Sequence, residues 1–321
     1  VSNFHVRRVV TGHEGRRAVV IEDGTPPNTI AAPNGLGVTE LLWLDRHPAG
    51  AADGRDRTDG GFPLEPPAGG LSSRIIRMPA PDPSMPIDDT WLRVPGDDDA
   101  RPGMHATDTL DLMLVLGGEI VLGVDDGEVR LGAGDAVIQR NTRHRWRVVG
   151  EEPCTYWVTM LRPDSGLPAA GGSWRSEPGS GIRRVVTDGP AARETEAPVG
   201  LAGGSARIVD LWQTFGPPAT GGQGGDPDGP WALEPLGGGT SFRVLELGPS
   251  DLGDAAWHTT ATIDVDVILS GRVALDLPDA DPVELDAGDV VIQRGTHHRW
   301  RVLGDEPLRM ATVMVAVPAA G

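Results

Sequence analysis

The sequence predicts an all-β chain folded as two tandem antiparallel sandwiches or barrels, and three observations carry that expectation. The chain repeats itself, its apolar residues fall in short alternating runs, and 45 Gly and 29 Pro in 321 residues punctuate it too often for long helices. The repeat is the strongest of the three. Gly134 to Val148 (GDAVIQRNTRHRWRV) returns as Gly288 to Val302 (GDVVIQRGTHHRWRV) with 12 of 15 positions identical. His105 to Gly118 (HATDTLDLMLVLGG) matches His258 to Gly271 (HTTATIDVDVILSG), and RRVVTG from Arg7 matches RRVVTD from Arg183. All three blocks keep their order in both halves, and the length suits two domains of roughly 150 residues each.

The repeat divides the chain into a first domain over 1–165, a linker over 166–181 and a second domain over 182–321. The linker lies in the Gly-, Ser- and Pro-rich stretch Pro163 to Gly181, and two further breaker-rich insertions, Pro48 to Gly70 and Gly216 to Pro230, occupy corresponding places and read as surface loops. In the first half the strands are expected at RRVVTG, AVVIED, TELLW, SSRIIRMP, HATDTLDLMLVL, EIVLGV, EVRL, DAVIQR, HRWRVV and TYWVTML, with Gly-Asp and Asp-Gly turns between several of them. No stretch supports a helix of three turns.

Composition removes several functions. All 28 basic residues are arginine, so there is no lysine to form a Schiff base with pyridoxal phosphate and none for a Walker A nucleotide loop. With 46 Asp and Glu the formal charge is -18, which repels phosphate backbones, although part of this bias is what a GC-rich genome writes. Nucleic acid is therefore not an expected partner. The single cysteine, Cys154, excludes an internal disulfide and a multi-cysteine zinc site. A reducing cytoplasm fits that usage. The start VSNFHVRRVV lacks a signal-peptide pattern, and no run reaches the roughly 20 apolar residues that span a bilayer. The expectation is a cytoplasmic protein with no membrane partner.

Side chains of a strand alternate, so His105, Thr107, Thr109, Asp111 and Met113 share one face, and His258, Thr260, Thr262, Asp264 and Asp266 share the matching face of the second half. The opposite face of the second run, Ile263, Val265, Val267 and Leu269, is apolar as well. A polar inner row with an apolar outer row suggests a barrel lumen on one side and a packed sheet on the other. The outer rows could pair two chains into a homodimer or pair the two halves of one chain. Asp266 stands where the first half has Met113, so the second lumen would hold two carboxylates, of which one would keep its proton. Trp146 and Trp300 follow His144 and His298 by two residues and can wall a pocket for a flat ligand, or simply pack. Arg140 and Arg294, just ahead of the histidine turn, could fork onto a substrate carboxylate or phenolate, or serve as surface ion pairs. His297 is off register with the ligand row.

These blocks resemble the two motifs of the cupins. The first motif, His-x-His, three or four residues, Glu, six residues, Gly, is met by His105-x-Thr107, Asp111 and Gly118, and again by His258-x-Thr260, Asp264 and Gly271. The second motif resembles Gly134 to His144 and Gly288 to His298, with the histidine one residue early, Arg140 and Arg294 in place of Pro, and no following Asn. The resemblance is to a bicupin and implies two tandem double-stranded β-helix, or jelly-roll, barrels. Carried over residue by residue, it implies metal ligands and catalytic groups at His105, Asp111 and His144, and at His258, Asp264 and His298, with Thr107 and Thr260 replacing one histidine each. Two imidazoles and a carboxylate would hold Fe, Mn, Ni or Zn with open positions, as in an oxygenase acting on a small organic, aromatic or polyketide-like substrate. Without a metal, the same groups could run an isomerisation, cyclisation or dehydration by acid–base transfer, form a hydrogen-bonded core network, or line a non-catalytic binding site.

Overall fold

The structure is a computed structural model that describes residues 4–47, 61–165, 167, 179–203, 206–216, 224–226, 231–249, 251 and 257–317. Most of the Pro48 to Gly70 and Gly216 to Pro230 insertions and of the linker lie outside the described residues.

Alternating apolar residues between Gly and Asp turns fold as strands because each run has one face to bury. The first half begins with β1 (Arg8–Glu14), β2 (Arg17–Gly24), β3 (Thr29–Ala31), β4 (Gly37–Leu44), β5 (Leu71–Met78) and β6 (Leu110–Gly117). It continues with β7 (Glu119–Val124), β8 (Gly127–Gly132), β9 (Ala136–Arg140), β10 (His144–Val149) and β11 (Cys154–Leu161). The second half runs through β12 (Arg183–Asp188), β13 (Ala191–Glu196), β14 (Val199–Gly203), β15 (Ala206–Thr214), β16 (Gly224–Gly225) and β17 (Thr240–Leu247). It ends with β18 (Thr262–Ser270), β19 (Arg272–Asp276), β20 (Val283–Leu285), β21 (Val290–Arg294), β22 (Arg299–Leu303) and β23 (Leu308–Ala316). Among the described residues the helices are short 3-10 turns, Ile87–Thr90 and Leu236–Gly238.

Each half closes a large sheet over a three-stranded one, giving two tandem jelly-roll barrels. The large sheets run β13-β12-β9-β6-β11-β5-β4-β3 and β2-β1-β21-β18-β23-β17-β15-β14, with β16 beside β15, and the small ones run β10-β7-β8 and β20-β19-β22. The strand expected from His105 starts later, at Leu110, and His105 makes only an isolated antiparallel bridge to His144. The turn after β6 needs glycine: Gly118 and Gly271 both take positive φ, and a Cβ on either would collide with the carbonyl oxygen of Pro153 or Pro307. Asn141 takes a left-handed conformation where the second repeat carries Gly295, which accounts for one difference between the two 15-residue blocks.

The sheets cross the division that the repeat suggests at residues 165 and 182. β1 pairs in parallel with β21, so the opening hairpin of the chain extends the second barrel, and β12 pairs in parallel with β9, so the opening hairpin of the second half extends the first. The repeat marks where a copy begins in sequence, whereas hydrogen bonding assigns each opening hairpin to the other copy. Arginines at one repeat position tie the exchange together. Arg8 on β1 donates to the Leu41 carbonyl on β4, and Arg184 on β12 donates to the Leu211 carbonyl on β15 and pairs with Asp226 at 2.5 Å.

The apolar outer rows meet inside the chain. Leu110, Leu112 and Leu114 of β6 and Ile263, Val265 and Val267 of β18 belong to one core with Trp157 and Phe242, whose rings meet edge to face at 5.7 Å. Of the two pairings open to these rows, the one between the halves of a single chain is present.

Two predictions follow from this packing and from one buried histidine. Phe242→Ala is expected to cost about 3–5 kcal/mol and to bring both barrels down in one calorimetric transition, whereas two resolved transitions would show barrels that hold separately. His47 is fully buried with neither ring nitrogen hydrogen-bonded, and burial presses its pKa down to about 4. The folded state keeps this base neutral while the unfolded chain takes a proton below about pH 6.5, so stability is intact above that pH and is lost toward pH 4. His47→Leu should flatten the acid limb of urea midpoint against pH by up to about 3 kcal/mol, and parallel limbs for wild type and variant would refute the assignment.

Candidate functional site

Period-two alternation on β6 sends Leu112 and Leu114 into the interface between barrels and Asp111 and Met113 into the first barrel. There a cavity of about 470 Å³ opens between the large and small sheets. Its polar end is formed by His105, Thr107, Asp111, Gln139 and His144, and the remaining wall is mostly apolar, with Ile76, Met78, Trp146, Tyr156, Val158 and Met160.

The two histidines are placed by a backbone bridge in which each N–H donates to the other's carbonyl, and their rings lie 4.2 Å apart. His105 Nδ1 sits 2.8 Å from the Gly103 carbonyl and His144 Nδ1 sits 2.8 Å from the Thr142 carbonyl. Nδ1–H donates in each case, which leaves Nε2 as the nitrogen each ring can offer to the cavity. Burial, and then the His105 ring, press His144 down to about 3, so it is a neutral imidazole. Asp111 is buried, and burial raises its carboxyl to about 7.

Gln139 joins these groups. Its Nε2 donates to Asp111 Oδ2 at 3.0 Å and to His144 Nε2 at 3.2 Å, while Asp111 Oδ1 and Gln139 Oε1 have no hydrogen-bond partner. The Gln139 amide therefore stands where a cation shared by Asp111 and His144 would have to sit. Among the described residues no three His, Cys, Asp or Glu side chains converge on a point that could hold a metal ion. The donor set expected from the motifs does not fit a divalent metal in this arrangement, because one histidine is Thr107 and an amide N–H fills the gap.

The second barrel repeats the histidine bridge but not the amide contact, since Gln293 Nε2 has no hydrogen-bond partner. His258 and His298 form the same bridge with rings 4.3 Å apart, and His298 Nδ1 faces the Thr296 carbonyl at 2.9 Å. Burial lowers His298 to about 4, raises Asp266 to about 7, and together with the Asp266 charge raises Asp264. Gln293 Oε1 accepts from the Thr11 hydroxyl, which the exchanged β1 carries into this barrel. Asp264 and Asp266 are both buried and interact, as their shared face requires.

Trp146 lines the cavity, and Trp300 packs in the second barrel with its ring 5.9 Å from His298. The two arginines do not join them. Arg140 shares the parity of Ile138 and lies with its guanidinium 5.6 Å from the Trp212 ring of the other half, and Arg294 shares the parity of Ile292, opposite Gln293. Their expected role at a substrate anion is corrected by alternation: the residue next to an inward Gln points outward. His297 is exposed and stacks on Trp257 at 5.3 Å. Cys154 is buried, which raises its thiol to about 12.

Sequence reasoning missed Gln139 and Gln293, although both sit in the identical VIQR runs with inward parity. It also missed a repeated loop, Phe62 to Pro66 (FPLEP) and Trp231 to Pro235 (WALEP). Glu65 accepts the Asp108 N–H at 3.2 Å and Glu234 accepts the Ala261 N–H at 2.9 Å, fastening each loop beside its histidine bridge.

A family model described as "Cupin domain" matches residues 91–160, which cover β6 to β11 almost whole. Residues 91–160 therefore belong to the cupin superfamily. Phomopsin biosynthesis cluster protein C' of Diaporthe leptostromiformis is 39% identical to this chain over 66 residues, 21% of the chain and 34% of the relative. Oryzines biosynthesis cluster protein J of Aspergillus oryzae is 34% identical over 64 residues, 20% of the chain and 35% of the relative. The matched segments thus span about a third of these relatives' length. A Pseudomonas aeruginosa structure named as a glyoxylate induced protein aligns over 97% of this chain and 95% of its own, with a TM-score of 0.53 and 12% identity, which shows the shared fold alone. No helix among the described residues is long and apolar enough to cross a membrane.

The amide at residue 139 makes metal content testable. Wild type purified without a metal column is expected to carry substoichiometric transition metal by elemental analysis. Gln139→Glu, which replaces the donor by an acceptor beside Asp111 and His144, is expected to gain about one Zn²⁺ per chain. Equal loading of the two proteins would refute the fit argument.

Proposed function

We propose that this cupin acts on a small organic molecule held in the first barrel and moves a proton on it without a metal ion. The observation that carries this reading is the Gln139 amide bridging Asp111 and His144 at the polar end of an otherwise apolar cavity. Such a concave apolar pocket with a few convergent polar groups and perturbed titratable side chains is the usual form of a small-molecule site.

The division of labour follows from the hydrogen bonds. His144 Nε2 is engaged by Gln139, so the imidazole left to accept a substrate proton is His105, through Nε2, with its Nδ1–H anchored on Gly103. Asp111, whose carboxyl burial raises to about 7 so that part of it keeps the proton near neutrality, has Oδ1 without a partner and can hand a proton to a substrate oxygen or nitrogen. Gln139 holds the other carboxyl oxygen and keeps Asp111 oriented. A base and an acid beside one apolar cavity suit an isomerisation, cyclisation or dehydration. That the curated relatives are named as biosynthesis cluster proteins agrees with small-molecule chemistry.

A neutral flat probe reads out proton abstraction directly. The protein is expected to accelerate the base-promoted ring opening of 5-nitrobenzisoxazole, with the rate unchanged by chelator and reduced about 10²-fold or more in His105→Gln. A rate that chelator abolishes and Mn²⁺ or Fe²⁺ restores, or one that His105→Gln leaves intact, would overturn the reading.

A further inference from the structure

The two barrels keep the same frame, and inside it two facing positions change from apolar to polar. In the first, the cross-strand row from β5 to β9 reads Arg74, Val158, Met113, Val137. In the second, the corresponding row from β17 to β21 reads Arg243, Thr312, Asp266, Val291. The ends of the row are retained and only the middle pair changes. Thr312 faces Asp266 across the strand pair and its hydroxyl favours the charged carboxylate, so these two changes act as one: a carboxyl arrives with its hydroxyl neighbour, or both positions are apolar.

The arginine at the head of the row is matched within the wall. Arg74 lies 3.5 Å from Glu40, donates to the Pro63 carbonyl at 2.8 Å, and has its guanidinium 5.7 Å from the Phe62 ring and 5.8 Å from the Trp43 ring. Glu40, which does not line the cavity, offsets its charge, so an anion would have to compete with that carboxylate for the guanidinium. A cation would meet the amide N–H that Gln139 turns toward Asp111. Trp146 and Tyr156 present rings inclined by 22° with centroids 6.5 Å apart, and Met78, Met113 and Met160 add adaptable thioethers to the same wall.

We propose that the first barrel takes an uncharged, ring-bearing and largely apolar ligand that turns one hydrogen-bonding group toward Asp111, Gln139 and His105, and that Met113 and Val158 select for it. The proposal rests on the reading of this cavity as the small-molecule site and names the class of molecule it admits. The second barrel, with Asp266 and Thr312 at those positions, is closed to the same ligand.

Isothermal titration of the full chain at pH 7 with 2-naphthol, which is neutral, and 2-naphthoate, which is anionic, tests this. One 2-naphthol per chain is expected, with 2-naphthoate weaker by about tenfold or more. Met113→Asp combined with Val158→Thr should weaken 2-naphthol about tenfold. Val158→Thr alone, nearly isosteric, should weaken it severalfold while the chain still unfolds in one cooperative transition. Binding of 2-naphthoate as tight as that of 2-naphthol, two naphthols per chain, or full affinity in Val158→Thr and the double variant would each overturn the proposal. The two readings fail separately. His105-dependent ring opening of 5-nitrobenzisoxazole without preference for 2-naphthol removes the ligand class alone, whereas selective 2-naphthol binding without that ring opening supports the ligand class and removes the proton transfer.

Discussion

Everything in this molecule depends on the two strands β6 and β18, each of which must satisfy two environments at once. Their even and odd side chains go to opposite faces, and neither face is left to water. Leu110, Leu112 and Leu114 are buried against the other barrel, while Asp111 and Met113 face the interior of their own. A one-residue slip of β6 would put leucines in the cavity and Asp111 into the apolar interface, where a carboxyl has no partner. The site and the interface are therefore set by one register. Gly118 and Gly271 hold the end of that register, since the turn after each strand passes too close to a proline carbonyl for any side chain.

The exchange of opening hairpins makes this arrangement a property of the whole chain. Thr11 shows how. It lies on the first predicted strand of the sequence, yet its hydroxyl accepts the Arg294 N–H and donates to Gln293 inside the second barrel, 282 residues away in sequence from that glutamine. Thr187 takes the corresponding place beside Arg140 in the first barrel. Each interior thus leans on a strand that the other half of the sequence supplies, and Arg8 and Arg184 pin those strands across to the facing sheet.

Duplication preserved the scaffold of two sites and let their interiors part. The histidine bridges, threonine pairs and inward glutamines match in both barrels, with Thr109 donating to Thr107 and Thr262 to Thr260 at 2.8 Å each. Against that constant frame the contents differ. The first interior is a cavity whose one polar end is organised by an amide, and the second holds two buried carboxyls, of which Asp266 raises the proton affinity of Asp264. In both, burial keeps the inner histidine neutral, so the imidazole next to the carboxyl is a hydrogen-bonding group rather than a cation.

Much of this was legible from the residues. The repeat and the alternation predicted two β-barrels, the inward row of His105, Thr107, Asp111 and Met113, the outward apolar row and the paired carboxyls of the second half, because strand periodicity is a local property that sequence displays directly. Gln139 was legible by the same parity and was overlooked, since glutamine is not a residue that ligand arithmetic looks for. What the sequence by itself determined is which side chains share a face and where each strand must turn. Only the tertiary structure decided which barrel each hairpin joins, that the apolar rows meet within one chain, that Arg140 and Arg294 point away from the interior, and that an amide occupies the place between Asp111 and His144. Those outcomes depend on contacts between residues far apart in sequence, and the hydrogen bonds and buried area that choose among them exist only once the two sheets have met.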